Sequence, residues 1–121
     1  MEIMIVVVLI GILATIGITN YTKTVLNAKT KEAKSLLLLI KHAEEVWKVE
    51  ANTYVQCADT ATCNTQLRLN LPNPGSPTWT YSVPNINNAT SFCALANTTV
   101  PGLSNHRIRQ DEEVAVVGTC P

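Results

Sequence analysis

Hydrophobic and polar positions divide the first half of the chain into two parts. Residues 3–18 form an apolar run without a charged side chain, and Glu2 stands directly before it. A helix of this length covers roughly 24 Å, slightly less than the ~30 Å hydrocarbon core of a membrane. No small-residue cleavage site follows, which argues against a signal peptide. The run predicts a helix that lies in a membrane or in the core of an assembly.

Glu2 is the unusual residue of this segment. An unpaired carboxylate in an apolar environment costs several kcal/mol, so it needs the lipid headgroup region or a positively charged partner. We expect the partner to come from another molecule. Glu2 is therefore interpreted as an assembly residue.

Helical periodicity continues beyond the apolar run. Lysine and glutamate occupy the other faces, where Lys41/Glu45 and Glu44/Lys48 have the spacing of helical ion pairs. No proline occurs before Pro72, so the pattern predicts one helix over 1–52, apolar over 1–24 and amphipathic over 25–52. The apolar residues that recur every seven positions are Leu26, Ala33, Ile40, Trp47 and Tyr54.

Residues 36–40 are apolar at every position, which is more than one helix face requires. Leu39 points away from the face that Leu37 and Ile40 form. We expect Leu39 to be exposed in a monomer and covered in an assembly.

The second half of the chain changes to loop and strand patterns. Proline, glycine, threonine and asparagine predict a long connecting loop over 53–77. Alternation then predicts four short strands at 78–83, 91–97, 105–110 and 113–118. Strands this short and evenly spaced favour an antiparallel meander over 78–121, with the amphipathic half of the helix covering its apolar face. The predicted fold class is α+β.

All four cysteines lie in the second half. An even number of cysteines in a small, loop-rich region indicates disulfides and an oxidising compartment. Of the three possible pairings, order along the chain favours Cys57–Cys63 and Cys93–Cys120. Zinc is the rival interpretation, but the 57–63 spacing is too wide for a knuckle, and Cys93 and Cys120 have no close partner in the sequence.

Composition and motifs limit the function classes. The formal net charge is zero and 15% of residues are charged, which gives no basic surface for nucleic acid and is compatible with self-association. His42 and His106 are expected to be solvated, and Asp111-Glu112-Glu113 is interpreted as a charged turn rather than a calcium site. No phosphate loop or nucleophile elbow is present. We expect neither an enzyme nor a cofactor or metal.

The segment EIMIVVVLIGILA at residues 2–14 resembles the N-terminal signature of mature type IV pilins and type II secretion pseudopilins. In that family a glutamate stands fifth, after a methylated first residue, and a glycine follows nine positions later, as Gly11 follows Glu2. The match implies that about three residues precede Met1. Thr19 stands where the family usually has proline, so any unwinding of the helix would depend on Gly11, Gly17 and neighbouring threonines.

The resemblance implies a long helix, a loop, an antiparallel sheet and a C-terminal disulfide loop. It also implies a subunit stored in the bacterial inner membrane, with its second half in the periplasm, until assembly machinery extracts it into an extracellular filament. There Glu2 would pair with the N-terminal amine of a neighbouring subunit. The partners are then copies of the same chain, the membrane and the pilus or secretion machinery.

The sequence therefore leads to the hypothesis of a structural subunit of a type IV pilus-like filament. A C-terminal loop closed by Cys93–Cys120 favours a pilus over the first alternative, the major pseudopilin of a type II secretion system. The second alternative is a single-pass membrane-anchored binding module of the periplasm or cell surface. Glu2 and an exposed Leu39 argue against it, since a monomeric anchor needs neither.

Overall fold

The computed structural model describes residues 1–72, 78–87 and 90–121, with the side chains of 85–87 outside the description. A long helix packs on a four-stranded antiparallel sheet, which confirms the predicted α+β class. The elements in chain order are α1 (Glu2–Ala51), α2 (Thr60–Leu67), β1 (Thr80–Asn87), β2 (Ser91–Asn97), β3 (His106–Arg109) and β4 (Val116–Val117).

Helix α1 runs without a break over 50 residues, a length of roughly 75 Å. The hydroxyl groups of Thr15 and Thr19 donate to carbonyl oxygens of their own helix, at 2.7 Å to Ile12 and 3.1 Å to Ile16. The helix ends at Asn52, whose left-handed backbone (φ 58°) lets its N–H donate to the Lys48 carbonyl at 2.8 Å. The single chain is therefore helical across the segment where unwinding was considered, and it ends where the sequence predicts.

The buried face of α1 includes two charged residues for which the sequence predicts helical ion pairs. Lys41 and Glu44 are buried together with Ala33, Leu37 and Ile40. The Lys41 ammonium donates to the Glu112 carbonyl oxygen, and Glu44 accepts the Val55 N–H at 2.8 Å. Neither predicted helical ion pair is found among the described residues. The predicted pairs were wrong because Lys41 and Glu44 form hydrogen bonds with backbone groups of Glu112 and Val55. Only the tertiary fold brings these backbone groups near the helix.

A short helix, α2, stands inside the segment that was predicted to be a loop. Asp59 caps its N-terminus by accepting the Thr62 N–H at 2.7 Å, a bond that also lowers the pKa of this exposed carboxyl group. Thr60 accepts the Tyr81 N–H at 3.0 Å, which fixes α2 against β1. Residues 73–77 of the predicted loop, with Pro74, Gly75 and Pro77, lie outside the described residues.

The sheet is the predicted meander, with strands in the order β1-β2-β3-β4. Strand β2 has the predicted bounds, whereas β1 continues through Pro84 to Asn87, where a turn was expected. Its pairing with β2 is irregular between Ser82 and Asn85, which suits a residue without a backbone N–H. Strand β4 has only two residues and is followed by Gly118, whose φ of 146° favours glycine.

Aromatic and aliphatic side chains of the sheet form the core under the second half of α1. Trp79 also donates its indole N–H to the Lys29 carbonyl oxygen at 3.0 Å, which attaches the start of β1 to the helix. Leu67 and Leu71 close the side of the core next to α2. The largest fully buried residues include Tyr81, Leu37, Ile40, Ile108 and Val83.

Both disulfides favoured by chain order are formed. Cys57–Cys63 joins the start of the loop to α2, with the Cα atoms 5.1 Å apart. Cys93–Cys120 joins β2 to the C-terminal residues, with the Cα atoms 5.8 Å apart. Cys57 also forms backbone hydrogen bonds with Val83, so the loop lies along the outer edge of β1.

We predict that replacing Cys93 and Cys120 together by alanine releases the C-terminal segment and lowers the free energy of unfolding. Closing a loop of this length contributes about 3–4 kcal/mol in the chain-entropy model. Hydrogen exchange should become faster at Gly118, whose N–H now donates to the Asn105 carbonyl oxygen at 2.9 Å. The matched Cys57→Ala, Cys63→Ala variant should leave exchange at Gly118 unchanged, and equal acceleration in both would contradict this.

Candidate assembly surface

The apolar half of α1 packs on no other described part of its own chain. All residues from 1 to 24 are exposed, and partial burial begins at residue 25, the predicted boundary between the two halves. This part of α1 has a mean hydropathy of 2.5 over its most apolar window, none of which is buried. Among the described residues, α1 is the one helix long and apolar enough to cross a membrane.

Glu2 is the first residue of α1 and the acidic residue of its first turn, where a carboxylate interacts favourably with the positive end of the helix dipole. It lies about 75 Å of helix from the far end of α1, and no ion pair of Glu2 occurs within the described part of the chain. In an apolar environment its charge must therefore be compensated from outside the chain.

Gly11 has no intramolecular reason to be glycine. A methyl group built at its Cα would meet no described atom within 4 Å beyond the backbone of its own helix and its chain neighbours, and the backbone there is ordinary helix. Glycine inside a helix costs about 1 kcal/mol relative to alanine. Any close approach that uses the missing side chain must involve another molecule.

Leu39 is 43% exposed, which confirms its predicted exposure in the monomer. It lies at the edge of a groove of about 350 Å³ between α1 and the segment that follows α2. We call this the helix groove. It is lined by Leu39, His42, Ala43, Val46, Trp47, Glu50, Leu67, Arg68 and Leu69.

Arg68 closes one end of α2 in a left-handed conformation, with φ 55° and ψ 42°. Its N–H donates to the Asn64 carbonyl oxygen as the cap of this helix. Glycine is the usual residue at such a position, because a side chain there costs about 1–2 kcal/mol. Arg68 thus places a guanidinium group at the helix groove at a cost to the fold.

The two histidines have different environments. His42 is exposed, as expected, with Nδ1 3.5 Å from a carboxylate oxygen of Glu45. His106 is only 3% exposed, which contradicts its predicted solvation. Its Nδ1 donates to the Ser104 carbonyl oxygen at 2.7 Å, and its ring meets Trp79 edge-on at 5.8 Å. The alternating pattern of β3 turns His106 toward the helix.

The acidic sequence at 111–113 lies in the turn between β3 and β4. Glu112 accepts the Arg109 N–H at 2.9 Å, and its other oxygen is 3.7 Å from the Arg107 guanidinium. Across the described ranges, no cluster of three or more histidine, cysteine or acidic side chains could hold a metal ion. These contacts give the acidic sequence a structural role in the turn.

Glu44 carries a buried carboxyl group in the second half of α1. It is completely buried, and burial raises its pKa from 4.5 to about 7, although the bond from the Val55 N–H opposes this shift. Within the described ranges its second carboxyl oxygen has no hydrogen-bond partner. Glu44 follows Leu37 by seven positions and Ile40 by four, so helical spacing alone could have placed it on the buried face.

We predict that Glu44 makes the domain less stable as pH rises. Because its pKa is higher in the folded state than the ordinary 4.5, the folded chain binds the extra proton between about pH 4.5 and 7. The free energy of unfolding should fall across this window by at most about 3 kcal/mol from this group, and level off above it. Near-UV circular dichroism of the detergent-solubilised chain measures unfolding.

Glu44→Gln should remove this component of the pH dependence, because a neutral amide oxygen still accepts the Val55 N–H. The control is Glu50→Gln, at an exposed position of the same helix, which should retain the wild-type pH profile. An unchanged profile in Glu44→Gln would show that the carboxyl group titrates normally in the folded chain.

Comparison with known proteins gives no further identification. The chain matches no protein-family model, no curated protein and no solved structure at a significant level.

Proposed function

We propose that this chain is the main structural subunit of a pilin-like helical filament displayed outside the cell. The observation that carries the proposal is the exposed apolar half of α1 with a single carboxylate at its tip. This surface is unfavourable in water and suits a membrane before assembly and a filament core after it. The N-terminal resemblance to type IV pilins supports the same conclusion.

Glu2 would direct assembly through the cost of misplacement. In the filament core its carboxylate would pair with the N-terminal ammonium of a neighbouring subunit. A charge pair is stronger there than in water, and a charge left without its partner costs several kcal/mol. Subunits in the wrong register are therefore disfavoured, while the folded domain is unaffected.

The disulfides favour a place for the domain outside the cytoplasm, because such bonds persist in oxidising compartments. The Cys93–Cys120 bond closes a C-terminal loop of the kind that the pilin resemblance implies. This favours an extracellular pilus over a secretion pseudopilus. The proposed role is mechanical and needs no catalytic group.

We predict that Glu2→Ala abolishes or strongly reduces filaments and leaves the domain folded. Glu2→Gln should behave similarly, because it keeps the shape of the side chain and removes the charge. Filament yield should fall at least about tenfold, as expected when one partner of a buried charge pair is removed. Both disulfides should still form, and Glu32→Gln, at an exposed position of the same helix that does not line the helix groove, serves as a control for loss of one carboxylate. Wild-type yield from Glu2→Ala would contradict the proposed role.

Electron microscopy of material sheared from cells, with mass spectrometry of the subunit, tests the function itself. Long filaments of this chain, with a methylated N-terminus and oxidised cysteines, are the expected result. Retention in the membrane without surface filaments would favour the pseudopilin or the simple anchor. Overexpression of a secretion system then separates these two, because only a pseudopilin would assemble.

A further inference from the structure

Positive charge is concentrated directly after the apolar run of α1. Residues 19–34 contain four lysines, at positions 23, 29, 31 and 34, and one acidic residue, Glu32. Two of the lysines, Lys23 and Lys31, are exposed, and neither forms a salt bridge among the described residues. We call Lys23 and Lys31 the lysine pair. Both ammonium groups are available to a partner outside the chain.

The lysine pair lies at the depth where a membrane around the apolar run would present its headgroups. At 1.5 Å per residue, the Cα atom of Lys23 lies roughly 7.5 Å beyond Ile18, the last residue of the run, and that of Lys31 roughly 20 Å. Side chains of a helix lean toward its N-terminus, so Lys23 extends back into a headgroup region that is about 5–8 Å thick. Lys31 comes within about one Debye length, 8–10 Å, of the same region. Tyr21, which is 72% exposed, stands at this boundary, where tyrosine is enriched.

The folded domain lies away from the exposed side of Lys31. The buried face of α1 includes Leu37 and Ile40. At 100° per residue, Lys31 lies roughly 120–180° around the helix from both of them. The part of the domain beside Leu26 is the loop at 98–105, which contains no charged residue. A membrane can therefore approach the lysine pair without repulsion from that loop.

Glu32 leaves most of this positive charge in place. Burial, and then the charge of Glu32, raises the pKa of the Tyr81 hydroxyl, which shows that the carboxylate lies near the domain. Four lysines and one glutamate give residues 19–34 a formal charge of +3. The segment therefore attracts anions.

The side of the membrane on which these lysines stand is informative. Lysine and arginine collect in cytoplasmic segments next to membrane helices. The two disulfides favour a place for this domain outside the cytoplasm. The usual rule of orientation thus does not account for lysines that follow the apolar run, whereas a lipid partner in the outer leaflet does.

We propose that the lysine pair binds the anionic headgroups of phospholipids in the leaflet on the domain side and so fixes the depth of the stored subunit. This inference rests on the membrane-stored state of the proposed function. Lysine donates hydrogen bonds to phosphate oxygens, and basic residues next to a membrane are attracted to anionic lipids. The apolar run holds the pair among headgroups, so their effective concentration exceeds that of a soluble anion.

Native mass spectrometry of the full chain tests this binding. The detergent-solubilised chain is mixed with equal amounts of phosphatidylglycerol and phosphatidylcholine, and the bound lipids are counted. Phosphatidylglycerol should exceed phosphatidylcholine at least about tenfold. Because each lysine near a membrane surface contributes about fivefold in affinity, Lys23→Gln should lower this preference about fivefold and the double variant with Lys31→Gln at least about tenfold. Equal binding of the two lipids by the wild-type chain would overturn the inference.

Matched variants separate the lysine pair from net charge. Arg68→Gln removes one positive charge at an exposed position beyond α2 and should leave the lipid preference unchanged. Lys23→Arg with Lys31→Arg keeps both charges and should keep the preference. An Arg68→Gln chain that loses as much preference as Lys23→Gln would remove the lysine pair from the proposal. Displacement of phosphatidylglycerol by an equal concentration of inorganic phosphate would show that free anions are the ligand, and would also overturn it.

Acetylation of lysines in nanodiscs tests the predicted depth. Lys23 and Lys31 should react at least about threefold more slowly in nanodiscs of phosphatidylglycerol than in nanodiscs of phosphatidylcholine, because the anionic headgroups pair with their ammonium groups. Lys48, roughly 37 Å of helix beyond Lys23, should react equally in both, since it lies several Debye lengths away. Equal rates at Lys23 in the two lipids would contradict the contact.

The outcomes distinguish the lipid contact from the filament proposal. Wild-type filaments from a chain without preference for phosphatidylglycerol overturn the lipid contact and leave the filament function standing. A clear preference in a chain that never produces filaments supports the lipid contact and contradicts the filament function. Glu2→Ala should keep the lipid preference while it loses filaments, because Glu2 lies at the other end of the apolar run.

Discussion

The rest of this molecule depends on one constraint: a single helix must satisfy two different surroundings. Its second half has a sheet to cover, and that sheet provides partners for the apolar stripe and even for Lys41 and Glu44. Its first half is covered by none of the residues that the structure describes. Apolar surface on this scale is favourable only away from water. The first half of α1 contributes no buried residue to the folded domain. Its apolar surface is stable only in surroundings other than water.

The domain compensates for its small core with attachments at its boundaries. Trp79 attaches the first strand to the helix, the Cys57 segment lies along the edge of β1, and Cys93–Cys120 holds the C-terminal residues on the sheet. Small domains bury a limited fraction of their apolar surface, so covalent links of this kind contribute a large share of their stability.

The sequence predicted those features that depend on strong, regular local signals. The bounds of α1 followed from sustained helical periodicity and the absence of proline, and β2 followed from a clear alternation. Exposure of Leu39 followed from its position on the helix. Each of these depends on spacing alone, which a single chain displays in full.

The missed features depend on partners distant in sequence. Glu44 was expected to pair with Lys48, because spacing along the helix does not reveal the Val55 N–H, which only the turn after α1 brings near the carboxyl group. His106 was assigned to solvent although its ring packs on Trp79 across the sheet. The α2 helix was missed because its threonines are weak helix formers, and the Asp59 cap outweighs them. The helix groove exists only once the fold places the end of α2 beside α1.

The disulfide between Cys93 and Cys120 encloses strand β4 and also limits how far the domain can lengthen under tension. A pull between α1 and residues 114–117 reaches the helix through the covalent link from Cys120 to Cys93, without straightening the strand β3 between them. The Cys57–Cys63 bond shortens the extensible path in the same way near α1. Along this path the segments 52–57 and 63–93 can lengthen, together with the few residues that lead to Cys120. Under load the two disulfides therefore keep the residues between their cysteines from extending. Reducing agents would release both loops and make the chain longer and more compliant.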